Sequence, residues 1–217
     1  MCLLGDIGLA KDEGLFIFLE KLLAGTPNLK IFYVMGNHEP YQISIQDTQS
    51  GFSAFEKSMT HQYDHRFILL DRKRFDSNET ITVLGCTLWT SIMPSEILTV
   101  SSRLTDWNEI RGIKGWSVDD HLNAHKEDLT WLNQEVQKTN QTEPDRQIAI
   151  LTYHSLATDP TANNSAHTGN DVKLGFVTDL SSQSCWTNPQ VKLWAFGHNH
   201  YSCSYRDEAN GKLVVSN

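Results

Sequence analysis

Gly36-Asn37-His38-Glu39 follows the run Leu29 to Met35, LKIFYVM, and reading these two stretches together decides how the chain is organised. The run is apolar, partly β-branched and aromatic, and has the length of a buried strand. Asn37 and His38 then fall in the loop just past that strand's C-terminal end, where open α/β sheets bind ligands. An amide oxygen can ligate a metal, and an adjacent imidazole can move a proton. Gly-Asn after a strand is also an ordinary turn, so the tetrapeptide alone leaves both readings open.

Three other places repeat the pattern. Asp6 follows Cys2-Leu3-Leu4-Gly5, His154 follows Gln147 to Tyr153 (QIAILTY), and His198 and His200 follow Val191 to Phe196 (VKLWAF) and Gly197. Each is a metal-capable residue at the end of a short apolar run. If the runs are neighbouring strands, one sheet edge collects Asp6, Asn37, His38, His154, His198 and His200. That mixed oxygen and nitrogen set suits Zn, Fe, Mn or a similar divalent ion.

The order Gly5-Asp6, Gly36-Asn37-His38-Glu39, a lone His154, then Gly197-His198-Asn199-His200 resembles the calcineurin-like metallophosphoesterases, from Gly5 to the end of the chain. The resemblance implies one domain over residues 1–217, folded as a four-layer α-β-β-α sandwich of two mixed sheets flanked by helices. It implies a phosphoesterase cleaving phosphomonoesters or phosphodiesters, with two divalent metal ions (Mn, Fe or Zn) and a hydroxide that bridges them. Asp6 would bridge the metals. Asn37, His154 and His198 would complete one site, and His200 would serve the other. His38 would hydrogen-bond the phosphate and protonate the leaving oxygen, with Glu39 holding it in orientation.

The family pattern opens with an Asp-x-His on a strand upstream of Gly-Asp. Only four residues precede Gly5, so a missing first strand, an N-terminally truncated domain and an incomplete second metal site are expected, and the abrupt strand end at Asn217 leaves C-terminal truncation open as well. That departure keeps an alternative open: a non-catalytic scaffold or weakened pseudoenzyme of the same fold. A histidine-rich metal binder without catalysis leaves the Gly-Asn-His-Glu order unexplained. The protein serine/threonine phosphatase branch has Gly-Asp-x-Val-Asp-Arg-Gly. Here Ile7-Gly8-Leu9-Ala10 follows Asp6 and Met35 precedes Gly36, which points away from that branch.

Composition narrows the class. A chain of 217 residues with 39% hydrophobic and 10% aromatic residues can bury a substantial core. The net charge of −8 argues against a sequence-independent grip on nucleic acid. It leaves phosphate substrates open, because bound cations can dominate a local field. Cys2, Cys86, Cys185 and Cys203 form no C-x-x-C pair, which reads as free thiols in a reducing compartment. No apolar run approaches the ~20 residues of a membrane span. Residues 1–14 lack the basic start and apolar core of a signal peptide, so a cytoplasmic protein is expected and the triplets at Asn78, Asn140 and Asn163 read as chance matches.

Between the motifs, the pattern predicts a helix from Asp12 to about Ala24 and another from about Ser50 to Gln62. Strands are expected at Phe67–Leu70 and Thr80–Trp89, joined as a hairpin through the polar patch Asp71–Glu79. Thr90–Trp116 shows no period and reads as a long loop whose Arg103, Arg111 or Lys114 could meet a substrate phosphate. Ser117 caps a long helix to about Gln137, with His121 and His125 on one face and no ligand role. Residues 156–176 read as a polar loop, with His167 as a candidate substrate contact. A short helix is expected at Leu180–Trp186. Strands Tyr201–Tyr205 and Lys212–Ser216 are expected to join through Asn210-Gly211.

Overall fold

The run before Asn37 becomes strand β2 (Ile31–Val34), the middle of a three-stranded parallel sheet. Its neighbours are β1 (Cys2–Leu4), at one edge, and β3 (Phe67–Leu69). A second sheet holds six strands in the order β4-β5-β6-β7-β9-β8. These are β4 (Lys73–Asp76), β5 (Ile81–Cys86), β6 (Gln147–Thr152), β7 (Val191–Phe196), β8 (Cys203–Arg206) and β9 (Leu213–Ser216). β5, β6, β7 and β9 run parallel, and β4 and β8 close the two edges antiparallel. The structure, a computed structural model, describes residues 1–156 and 177–216. His167 lies outside the described residues.

Strand alternation builds the layers. In β2, Ile31 and Tyr33 point to one face, against Leu15, Leu19 and Leu23 of α1 (Glu13–Gly25) and Phe52 and Met59 of α2 (Ile45–Gln62). Phe32 and Val34 point to the other face, where they meet Leu151 and Ala195 of the larger sheet. In β6, Ile148 and Ile150 turn outward to Leu132 and Val136 of α4 (Val118–Thr142), while Ala149 and Leu151 face the inter-sheet layer. The result is helix, sheet, sheet, helix: the four-layer α/β sandwich that the resemblance implied.

Several elements differ from the sequence reading. β3 and β5 lie in different sheets, so no hairpin joins them. The hairpin partner of β5 is β4, inside the patch expected to be a connection. β4 reads KRFD and has little apolar alternation to announce it. It is fixed instead by Lys73 to Glu56 at 2.7 Å and Arg74 to Glu143 at 2.6 Å, with Phe75 entering the inter-sheet layer. Helix α2 begins at Ile45, capped by the Ser44 hydroxyl on the Asp47 N–H. Helix α4 runs on to Thr142 through residues with no apolar period, and its start is the expected Ser117–Asp120 capping box. The segment from Thr90 to Trp116 carries helix α3 (Ile97–Arg103) and a 3₁₀ turn at Thr105–Trp107. The short helix near Trp186, α5, covers Ser184–Thr187.

Candidate active site

Parallel pairing places the C-terminal ends of β1 and β2 together in one sheet, and those of β6 and β7 together in the other. Hydrogen bonds between the following loops show that these ends meet at one edge. The His38 N–H donates to Asp6 Oδ1 at 3.1 Å. The Tyr153 hydroxyl lies 2.5 Å from Asp6 Oδ2, 2.5 Å from Asn37 Oδ1 and 2.5 Å from His198 Nδ1. Three non-glycine residues on this edge adopt left-handed backbone: Asp6 (φ 59°), His198 (φ 66°) and His200 (φ 48°). Such conformations are uncommon away from glycine, and they cluster where chain must be forced into position.

Glu39 ties two of the loops together. It is fully buried and accepts from the backbone N–H of Asp6 (3.0 Å), Ile7 (2.8 Å) and Gly36 (2.7 Å), and from the Tyr33 hydroxyl (2.8 Å). Burial pushes its carboxyl pKa up, and the neighbouring Asp6 charge adds to this. Its oxygens serve the strand-end loops, so the expected role of holding His38 is corrected. The carboxylate beside His38 is that of Asp6, with Nδ1 to Oδ2 at 3.6 Å. The His38 side chain is 48% exposed, and its ring lies against Tyr41.

Asn37 is held by a group the sequence reading missed. Its Nδ2 donates to Asp106 Oδ1 at 2.7 Å and to the Tyr41 hydroxyl at 3.1 Å, and Tyr41 donates to the same Asp106 oxygen at 2.6 Å. These bonds fix the amide so that its oxygen faces Tyr153. Burial raises the Asp106 carboxyl pKa, and the bonds from Tyr41 and Asn37 oppose the rise. Asp106 sits in the 3₁₀ turn of a segment without period, and no pattern in the sequence marks it.

Tyr153, the other missed residue, is fully buried, with the Cδ2–Cε2 edge of its ring against two adjacent glycines. A Cβ at Gly5 would stand 2.2 Å from its Cδ2, and one at Gly36 would stand 2.7 Å from its Cε2. Burial holds the phenol pKa well above its ordinary value, and the Asp6 charge adds to the effect. Its neighbour His154, the expected ligand, is buried beside it. The His154 ring packs against Tyr153, His198 and Trp89, and its Nδ1 lies 3.4 Å from the Thr87 carbonyl. Burial pushes the His154 pKa well below the imidazole range, with His198 and His121 adding to it.

His200 is exposed and lines, with Asp6 and His198, a cleft of about 850 Å³ that runs beside β1. Arg103 and Arg111 are exposed on the segment that carries Asp106, outside that cleft's lining.

The donor types suit a divalent ion: a carboxylate oxygen, an amide oxygen and an imidazole nitrogen. The space does not. Among the described residues no three His, Cys, Asp or Glu side chains converge as a metal-holding group, and the point facing Asp6, Asn37 and His198 is taken by the phenol oxygen. The expected set of Asp6, Asn37, His154, His198 and His200 is therefore gathered at one edge but not assembled into a two-metal centre.

The sequence profile of calcineurin-like phosphoesterases matches residues 2–202. The chain belongs to that family. By sequence the chain is similar to an uncharacterized protein of Acanthamoeba polyphaga mimivirus, 27% identical over 238 residues, spanning 100% of this chain and 76% of the viral protein. Among solved structures, a phosphopantetheinyl hydrolase from Mycobacterium tuberculosis superposes with a TM-score of 0.67 at 11% identity, covering 99% of this chain and 77% of its own. A dimetal phosphatase from Danio rerio gives 0.56 at 13% identity, covering 99% and 70%. At these identities the structural likeness is one of fold. Among the described residues no helix is long and apolar enough to cross a membrane.

Proposed function

We propose that this calcineurin-like phosphoesterase hydrolyses small phosphate esters, monoesters or diesters, at the edge that carries Asp6, Asn37, His38 and His198. One observation carries the reading. From residue 31 to residue 40 His38 is the one exposed side chain, and it stands beside the Asp6 carboxylate at the ends of two parallel strands. An imidazole so placed can donate a hydrogen bond to a phosphate oxygen and pass its proton to the departing oxygen. Glu39 and Asp106 support this work from behind, the first by setting the backbone of Asp6 and the second by orienting Asn37. The adjacent cleft has the dimensions of a small-molecule site. In the family, divalent metals supply the nucleophile and neutralise charge. The unpaired cysteines fit a reducing compartment, and we place the protein in the cytoplasm.

The test is hydrolysis of p-nitrophenyl phosphate and bis(p-nitrophenyl) phosphate at saturating manganese. His38→Ala should lower turnover by about 100-fold or more while thermal stability stays near that of the parent. Equal turnover by both proteins would remove His38 from the chemistry. A second reading, a weakened or non-catalytic member of the family, is favoured by the position of the Tyr153 hydroxyl among the donors.

A further inference from the structure

We infer that the Tyr153 hydroxyl stands where a divalent ion would sit between Asp6, Asn37 and His198, so that metal enters this chain only when the phenol is displaced. The inference rests on reading the edge as a phosphoesterase site.

The distances carry it first. The phenol oxygen is equally close, at 2.5 Å, to a carboxylate oxygen, an amide oxygen and an imidazole nitrogen. A metal ion would lie about 2.0–2.2 Å from each of these donor types. The oxygen and the ion compete for one point. A phenol oxygen also stands about as far from its Cβ as a metal held on the far nitrogen of an imidazole.

Proton counting agrees. A phenol has one hydrogen to donate. Asp6 Oδ2 and Asn37 Oδ1 are both acceptors, and the Asn37 amide cannot turn, because its nitrogen is committed to Asp106 and Tyr41. One of the two short contacts therefore lacks a proton. A positive ion would satisfy every donor atom in this ring, and a hydroxyl cannot.

The ring is fully buried, and Gly5 and Gly36 both lie against its Cδ2–Cε2 edge, so the ring cannot lean away from the larger sheet toward β1 and β2. A histidine at this position would be shorter and would present a ring nitrogen toward the space vacated by the hydroxyl.

The experiment is manganese binding to the full chain, by calorimetry and by elemental analysis after desalting, for the parent, Tyr153→His and Tyr153→Ala. We expect weak uptake by the parent and an affinity gain of about 10-fold or more in Tyr153→His. Adding His198→Ala to Tyr153→His should abolish the gain. Tyr153→Ala opens the space without adding a ligand and should also exceed the parent. Tight uptake by the parent that is lost in its own His198→Ala variant overturns the inference without any change at Tyr153. Absence of a gain in both folded Tyr153 variants overturns it as well. Ester hydrolysis on the same samples separates the two claims. If Tyr153→His loads metal but does not hydrolyse, the inference stands and the hydrolytic reading fails. If the parent loads metal and hydrolyses as well as Tyr153→His, the reading stands and the inference fails.

Discussion

Neighbouring residues with different reach decide what this edge can hold. Tyr153 and His154 both follow β6, and choosing by residue type favours the histidine. The structure turns the phenol to Asp6, Asn37 and His198, and leaves the imidazole packed under it. Which of two adjacent residues past a strand faces the site depends on the local bend, and no spacing rule records that. Glu39 was legible as an essential acid next to His38, but its work is done on backbone. Glu39→Gln should therefore destabilise the fold by about 2–3 kcal/mol, since each carboxylate oxygen accepts from two donors and the amide would turn its NH2 toward one such pair. Urea denaturation measures this. A loss of activity with unchanged stability would restore the direct link to His38.

Among the elements, the sequence announced most clearly those with a strong period or a cap. β2, β6 and β7 were legible from apolar runs, and α4 from its Ser117 start. β4 was not, because Phe75 is its one apolar residue, and the lysine and arginine before it reach Glu56 and Glu143 and leave no alternating pattern to read. The 3₁₀ turn that delivers Asp106 was invisible for a similar reason: a single buried acid in an aperiodic segment has no pattern. The Ser117 cap gives an element-level expectation. Its hydroxyl accepts from the Asp120 N–H at 3.1 Å, and Asp120 returns a bond to the Ser117 N–H at 2.9 Å. Ser117→Ala should cost about 1 kcal/mol, read as a lower denaturation midpoint with unchanged cooperativity. No measurable change would mean that packing of α4 on the larger sheet alone fixes its first turn.

At the scale of the molecule, the layer between α4 and the larger sheet buries groups that titrate. His121 lies inside α4's inward face, bonded through Nε2 to Thr90, and burial with the nearby His125 pushes its pKa down to about 3 from 6.5. His125 shifts the same way for the same leading reason. The unfolded chain takes up a proton at His121 below pH 6.5, and the folded chain refuses it until about pH 3. Stability from this group is complete above the unfolded value and is lost as the pH falls, by about 1.4 kcal/mol per pH unit. His121→Gln keeps an acceptor for Thr90 and removes the titration. Between pH 6.5 and pH 5 the parent should lose roughly 2 kcal/mol more than this variant in urea melts. Parallel pH profiles would show that His121 protonates within the fold. The gathering of strand ends at one edge was readable because parallel pairing and loop position follow from the runs themselves. The Asp106 and Tyr41 groups that hold Asn37 behind that edge were not, because they come from segments distant from each other in the sequence.

The glycine slot around Tyr153 also sets the order in which this edge can change over evolutionary time. A side chain at Gly36 would strike not only the Tyr153 ring but also Asp6, whose Oδ1 would lie 2.4 Å away and whose backbone nitrogen 2.9 Å. A side chain at Gly5 would meet the Gly36 backbone at 2.7 Å. Shrinking position 153 therefore does not release the glycines, whereas keeping the glycines leaves position 153 open to shorter side chains. Lineages can exchange the residue at 153 in a single step, in either direction, with the two glycines standing unchanged throughout. Gain and loss of a metal at this edge would then be separated by one codon.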